Sequence, residues 1–102
     1  MEVHQLRYFC AIARTGTFTC AAAAEHVAQP SLSQQILKLE NELGGKLFIR
    51  QPRMARLTPL GEFFLPRAHA IIQAIRDAQD DIQNTEHLKT ISNLTAGLKR
   101  AP

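Results

Sequence analysis

The sequence FTCAAAAEHVAQPSLSQQILKLENELGGKLFIR occupies residues 18–50 and contains two short helical patterns separated by a polar turn. In the first pattern, Thr17 stands where a helix N-cap belongs, and the alanines at 21–24 allow close packing against a neighbouring helix. In the second pattern, Pro30 fits a first helical turn, and apolar residues recur at spacings of four, three and four. These apolar residues are Leu32, Ile36, Leu39 and Leu43. The sequence therefore predicts two successive helices, the second over residues 31–42.

An amphipathic helix is predicted ahead of this stretch, over residues 3–14, because apolar residues recur there at three-to-four spacing. It ends at Gly16, which suits the left-handed conformation of a helix terminator. Three large apolar residues are expected to face the core, namely Leu6, Phe9 and Ile12.

A basic hairpin is predicted after the second helix. Gly44 and Gly45 end that helix, residues 46–50 have strand character, and the segment QPRMAR turns the chain back through Leu57. The expected fold is thus mainly α: three helices and a two-stranded wing, in the order of a winged helix-turn-helix covering residues 1–58.

Thr58 and Pro59 are typical of a helix start and open the longest helical pattern, which extends to about Gln83. From Phe64 onward its apolar residues follow a heptad-like spacing, which is suited to pairing with another helix. The predicted pairing residues are Leu60, Phe64, Ala68, Ile71, Ile75, Ala78 and Ile82. We therefore assign residues 59–86 to a linker helix that dimerises. Residues 87–102 have only a weak apolar pattern and are predicted to be a frayed or partly ordered tail.

The charge distribution favours a polyanionic partner for the first half of the chain. The 102 residues carry a net charge of +3 and are 45% hydrophobic, which is enough for one modest domain. Residues 1–58 hold seven Lys/Arg against four acids, whereas residues 59–90 hold three against five. Cys10 and Cys20 are expected to be reduced core residues. With no leader segment and no membrane-length apolar run, the chain is predicted to be cytoplasmic, without a membrane partner.

Polar residues on the second helix of the central pattern are candidates for contacts with DNA bases. Ser31, Gln34, Lys38 and Asn41 lie opposite its apolar residues. Glutamine can bond adenine bidentately, and serine can bond several bases. Polar faces are usually only solvated, and this helix alone would favour that interpretation. The turn before it and the wing after it favour DNA.

Three arginines recur at intervals of three residues in the hairpin: Arg50, Arg53 and Arg56. Taken alone, they would indicate an ordinary solvated basic loop. Beside a recognition helix, an arginine at a wing tip can enter the adjacent minor groove, and we assign that role to Arg53. Arg50 and Arg56 are predicted to contact phosphates.

Catalysis is not predicted. The four histidines, His4, His26, His69 and His87, fall on different predicted elements. They form no arrangement with a nucleophile or a carboxylate, and no Cys/His cluster has the spacing of a metal site. We therefore expect no enzyme activity, no cofactor and no metal in this chain.

The segment HQLRYFCAIARTGTFTCAAAAEHVAQPSLSQQILKLENELGGKLFIR, with the basic wing and LTPLGEFFLPRA after it, resembles the amino-terminal DNA-binding domain of bacterial LysR-type transcriptional regulators. The resemblance covers residues 2 to about 86. It implies a winged helix-turn-helix whose linker helices pair two subunits on an interrupted inverted repeat of double-stranded DNA. The DNA-contacting positions that it implies are Thr17, Gln29, Pro30, Ser31, Ser33, Gln34, Arg50 and Arg53.

Two departures from the family pattern are visible. Ala28 stands where the family usually has a serine that caps the recognition helix, and losing such a cap costs about 1 kcal/mol. The second concerns the end of the sequence: family members continue into a larger effector domain, and Gly97 and Leu98 resemble its beginning, but the sequence ends there. An inducer is expected as a partner only if that domain is present. An alternative function is a helical dimerisation or adaptor module for a protein partner, which the heptad pattern supports and the wing arginines do not.

Overall fold

The structure is a computed structural model that describes residues 1–100, with side chains described for residues 1–97. Five helices and one antiparallel hairpin are formed in this part of the chain. In chain order they are α1 (Val3–Thr15), α2 (Phe18–Ala24), α3 (Gln29–Leu43), β1 (Phe48–Gln51), β2 (Met54–Leu57), α4 (Pro59–Gln83) and α5 (Glu86–Arg100). The mainly α fold with a two-stranded wing is confirmed.

The turn between α1 and α2 has the predicted local chemistry. Gly16 ends α1 in the left-handed conformation, with φ 83°, and its N–H donates to the Ile12 carbonyl. Thr17 then begins α2, because its hydroxyl oxygen accepts a hydrogen bond from the Cys20 N–H at 2.9 Å. One glycine and one threonine thus reverse the chain direction without leaving the first turn of α2 uncapped.

Helix α3 begins at Gln29, two residues earlier than predicted, with Pro30 in its first turn. Ala28 is the N-cap and makes no side-chain cap hydrogen bond, in agreement with the departure seen in the sequence. Gly44 ends the helix in the left-handed conformation, with φ 81°. The apolar face of α3 is fully enclosed, since Leu32, Ile36 and Leu39 each have 0% exposure.

The wing is tighter than the sequence predicts. Its strands pair Phe48 with Leu57 and Gln51 with Met54, so only Pro52 and Arg53 remain in the turn. Arg56 therefore lies on a strand rather than in the turn to which the sequence assigned it, and Arg50 lies on the strand that was predicted. The Ala55 N–H donates to the Gly16 carbonyl at 2.8 Å, which fixes β2 against the α1–α2 turn.

The core of the unit formed by Met1–Ile72 is built around Phe9, which has 0% exposure. The Phe9 ring lies 5.3 Å from the rings of both Phe48 and Phe64, so helix α1, the wing and α4 meet at this residue. The predicted core residues of α1 are confirmed: Leu6, Phe9 and Ile12 are at most 2% exposed. The wing and helix α3 therefore share one hydrophobic core.

Two of the predicted pairing residues are used inside the subunit instead. Phe64 is 9% exposed and Ala68 is 0% exposed, and both pack in the core with Ile72. Ala68 thus has no surface left for a second chain. A helix face that packs on its own domain and a face that pairs with another helix have the same three-to-four periodicity, so the sequence pattern could not separate them.

Two further expectations were wrong. Residues 86–100 form α5 rather than a frayed tail, and Gly97 and Leu98 are helical; residues 101–102 lie outside the described residues. The apolar residues Leu88, Ile91 and Leu94 of α5 are exposed. Cys10 is buried as predicted, but Cys20 is exposed, because helix α2 turns Phe18, Ala21 and Ala22 inward rather than this residue.

Candidate nucleic-acid interface

Two clefts meet at Arg50 on the surface of the first unit. The large cleft, about 700 Å³ in volume, lies between α3 and the wing. Its lining residues are Pro30, Ser33, Gln34, Leu37, Glu40, Lys46, Phe48 and Arg50. The small cleft, about 250 Å³, lies between the wing tip and the starts of α2 and α3. Its lining residues are Thr17, Phe18, Thr19, Gln29, Arg50, Gln51, Pro52, Arg53 and Met54.

The clefts contain seven of the ten predicted DNA-contacting residues. The large cleft holds Pro30, Ser33, Gln34 and Arg50, and the small cleft holds Thr17, Gln29, Arg50 and Arg53. Their side chains come from the N-cap of α2, from α3 and from the wing, and these residues are separated by up to 36 positions in the sequence. The fold therefore brings together residues that the sequence predicted separately for each helix and for the wing.

Three predicted contacts lie outside the clefts. Ser31 is exposed at the start of α3. Lys38 lines a different depression, beside Gln35 and Glu42 on the side of α3 that faces α1. In that depression the Met1 ammonium donates to Glu42 Oε1 at 2.9 Å, and this hydrogen bond raises the pKa of the ammonium above its usual value.

Arg56 is the third predicted residue outside the clefts, and the strand register explains its position. Directly paired residues point to the same face of a hairpin, and successive residues alternate between faces. Arg50 pairs with Ala55 on the face that carries the buried Phe48, whereas Arg56 pairs with Ile49 on the opposite face. The two arginines therefore cannot serve the same cleft, although the sequence assigned both to phosphate contacts.

The guanidinium of Arg50 is held in place by an aromatic ring. Its Cζ lies 4.1 Å from the centroid of the Phe18 ring, which is only 8% exposed. The Phe18 ring contacts that of Phe48 in an edge-on arrangement with centroids 5.6 Å apart. The side chain of Arg50 thus rests on the core and keeps its charge at the junction of the two clefts.

The base of the wing is joined to α3 by Glu40, a residue that the sequence did not single out. The Glu40 carboxylate is 6% exposed; its Oε2 accepts the Leu47 N–H at 2.7 Å, and its Oε1 lies 3.8 Å from Lys46 Nζ. A charge-assisted hydrogen bond to buried backbone is strong and directional. This hydrogen bond fixes the start of the wing relative to α3. The one signal in the sequence was an acidic residue directly after the predicted core residue Leu39.

Two polar residues of the interface were also missed by sequence reasoning. Thr19 is exposed and donates to Gln29 Oε1 at 3.3 Å, so it orients the first side chain of α3. Lys46 lies in the large cleft and supplies a cation there. A basic residue at the start of a predicted strand was the available signal for Lys46; no sequence signal distinguished Thr19.

Helix α3 thus lies beside a basic hairpin, with the polar start of the helix facing out, which defines a winged helix-turn-helix protein. The chain belongs to the LysR family of bacterial regulatory helix-turn-helix proteins, whose family model matches residues 3–62. Across the described residues, no helix is long and apolar enough to span a membrane, and no group of three or more His, Cys, Asp or Glu is placed to hold a metal ion.

Individual relatives agree with this assignment. The chain is 47% identical over 79 residues to the Hca operon transcriptional activator HcaR of Escherichia coli, a match that covers 78% of this chain and 27% of HcaR. It resembles the structure of a CbnR DBD–DNA complex with a TM-score of 0.78 at 37% identity, covering 82% of this chain and 97% of that one. The BenM DBD/catB site 1 DNA complex gives a TM-score of 0.79 at 38% identity, over 82% and 93% of the two chains. The chain thus spans about a quarter of HcaR and nearly all of the two DNA-bound chains.

Proposed function

We propose that this chain binds double-stranded DNA in a sequence-specific manner and thereby regulates transcription. The observation that carries the proposal is the pair of clefts meeting at Arg50, which joins hydrogen-bonding side chains of α3 to cations of the wing. Ser33 and Gln34 enter the major groove, where their side chains can bond base edges. Family membership and the two similar chains solved with DNA support the same function.

The wing supplies affinity rather than direct base recognition. Arg50 contacts a phosphate beside the recognition helix, and Arg53, at the tip of the turn, enters the adjacent minor groove. The start of α3 adds the positive end of the helix dipole and backbone N–H groups that have no side-chain cap, since the N-cap residue is Ala28. The proposed DNA-binding residues are Thr17, Gln29, Pro30, Ser31, Ser33, Gln34, Lys38, Arg50, Arg53 and Arg56.

A binding titration with mixed genomic DNA at low and high salt tests this function. A protein that neutralises several phosphates loses affinity for DNA steeply as the salt concentration rises. An adaptor module for another protein has no such salt-dependent affinity for DNA. Steep salt dependence is the expected result. Absence of DNA binding at low salt would overturn the proposal and leave the adaptor function as the better account.

Replacing Gln34 with alanine is expected to reduce the preference for a specific duplex, selected with the purified chain from a random-sequence library, over a scrambled duplex. The expected reduction is about fivefold, the lower end of the range for losing a bidentate base contact. The measurement is competitive binding against scrambled DNA. Gln79→Ala is the matched control, since Gln79 is an exposed glutamine of α4 outside both clefts. Equal losses on selected and scrambled DNA would contradict a base contact by Gln34.

We further propose that two chains pair through α4, as the family resemblance implies. In the second unit, which begins at Gln73, Ile82 is 60% exposed, Ala78 is exposed and Ile75 is half-buried. These residues keep the heptad spacing and are free to meet a second helix. The pairing residues proposed for the first unit are Leu60 and Ile71, which are 36% and 37% exposed.

The variant Ile82→Asp is expected to weaken dimerisation about tenfold or more, because it buries a charge in the paired seam. Sedimentation equilibrium over a range of protein concentrations measures this effect. Gln83→Asp places the same charge on the neighbouring exposed residue, off the heptad positions, and should leave the dimer intact. Unchanged association of Ile82→Asp would rule out this seam.

We assign only DNA binding and pairing to this chain, with no catalytic role, and we place it in the cytoplasm, where bacterial promoters lie. Its relatives are named as regulators, which supports a non-enzymatic function. Inducer binding belongs to the effector domain that the family resemblance implies, and residues 87–102 are proposed to lead into it.

A further inference from the structure

Leu37 is the exception among the large apolar residues of the recognition helix. The others that follow the apolar pattern are buried or half-buried, and Leu32, Ile36 and Leu39 have no exposed surface. Leu37 is 44% exposed and interrupts the polar side of the helix. Packing inside the subunit therefore leaves part of this side chain available to whatever α3 binds.

The position of Leu37 relative to the proposed base contacts is fixed by the helix. It follows Ser33 by four residues and Gln34 by three, so its side chain lies one turn further along the same face. All three residues line the large cleft, together with Arg50 and Lys46. A ligand that fills the large cleft therefore also contacts the leucine side chain.

The charges of the large cleft indicate the same polyanionic occupant. Lys46 and Arg50 face into it, and its one acid, Glu40, already accepts the Leu47 N–H and lies 3.8 Å from Lys46 Nζ. Duplex DNA fits this charge pattern. Among the groups that base pairs present in the major groove, the C5-methyl of thymine is the apolar one; the others are hydrogen-bond donors and acceptors.

We propose that Leu37 contacts the C5-methyl group of a thymine and makes the chain specific for that base. Because Leu37 lies one turn of α3 beyond Gln34, this thymine is a different base from the one bonded by Gln34. This inference deepens the proposed function and rests on it. Burial of the methyl group against leucine removes apolar surface of both from water, which gives a preference for thymine without any hydrogen bond. A polar side chain at residue 37 would lose that preference.

The test isolates the methyl group chemically. A duplex is first selected from a random-sequence library with the purified chain, and each thymine in it is then replaced singly by uracil, which keeps the hydrogen-bonding groups and lacks the methyl. Binding is expected to weaken about fourfold at one thymine of each half-site, the effect of one buried methyl group. Leu37→Ala should bind the thymine and uracil duplexes equally at that position. Leu88→Ala, an exposed leucine of α5, is the matched control and should keep the discrimination.

The possible outcomes separate this inference from the function beneath it. Absence of duplex binding would overturn the proposed function and the role of Leu37 with it. Binding that tolerates uracil at every position, or a uracil penalty that persists in Leu37→Ala, would overturn the role of Leu37 alone. The uracil scan of the unmodified protein requires no variant to fold, and circular dichroism verifies the fold of Leu37→Ala.

Discussion

The variant Arg50→Ala is expected to bind every duplex about 10- to 100-fold more weakly, because the phosphate contact proposed for Arg50 is a charged hydrogen bond that the variant would lose. The loss should be similar for selected and scrambled DNA, since phosphate contacts are common to all sequences. The slope of log affinity against log salt should fall by about 0.9, the value for one phosphate contact fewer. Fluorescence anisotropy at four or five salt concentrations measures both quantities.

Arg67→Ala is the matched control for this prediction. Arg67 also stacks on an aromatic ring, with its Cζ 3.8 Å from the Phe63 centroid, but it lies on α4 outside both clefts. The control removes the same charge and the same kind of stacking, so it corrects for the lower net charge of the variant. Equal weakening by both substitutions would mean that Arg50 acts only through the overall charge of the protein.

The role of Phe18 beneath Arg50 is tested in the same experiment. Phe18→Leu keeps an apolar residue in the core and removes the ring on which the guanidinium rests. If the ring positions Arg50, Phe18→Leu should weaken DNA binding in the unmodified chain and have no further effect in the Arg50→Ala background. Additive losses would show that the ring does not act through the arginine.

The variant Gly61→Ala is expected to lower the free energy of unfolding by about 2 to 3 kcal/mol, the upper range for overpacking a tight site. A Cβ at Gly61 would collide with the carbonyl oxygen of Leu47 and lie 2.9 Å from Leu57 Cδ2. Backbone cannot move aside as a flexible side chain can, so α4 would have to shift away from the base of the wing. Urea denaturation at fixed protein concentration measures the effect, and the melting temperature should fall by roughly 10 °C or more.

Gly97→Ala is the control for this prediction. Gly97 also lies within a helix, but a Cβ there would have nothing within 4 Å. Alanine favours helix over glycine by up to about 1 kcal/mol, so this variant should be unchanged or slightly more stable. If Gly61→Ala were as stable as Gly97→Ala, the close contact between α4 and the Leu47 carbonyl would be refuted.

The elements of this protein were predictable because their signals are local. Thr17, Gly16 and Gly44 mark helix ends through capping and left-handed geometry, and those interactions involve residues at most a few positions away. The apolar spacing of α1 and α3 identified core residues such as Phe9 and Ile36 for the same reason. Where the local signal was weak, as in α5, the prediction failed.

The candidate site was only partly predictable. Polar residues at the start of α3 could be nominated from their spacing, but the pairing register of the wing decides which arginine shares a face with Phe48. That register depends on a turn of two residues, where the sequence suggested a longer one. Leu37 was missed altogether, because an apolar residue on a helix is expected to be buried, and its exposure emerges only when neighbouring elements are placed.

The sequence by itself determined the order of the first three helices, the wing and the long helix α4, the excess of cations in residues 1–58, and the helix ends at Gly16, Thr17 and Gly44, since these follow from composition or from interactions between near neighbours in the chain. Only the tertiary structure decided that Arg50 rests on Phe18, that Glu40 holds the Leu47 N–H and that Phe64 and Ala68 pack in the subunit's own core. Each of these contacts except that of Glu40 joins residues more than 30 positions apart. Local periodicity specifies which face of an element is apolar; the packing of the whole chain selects what covers that face.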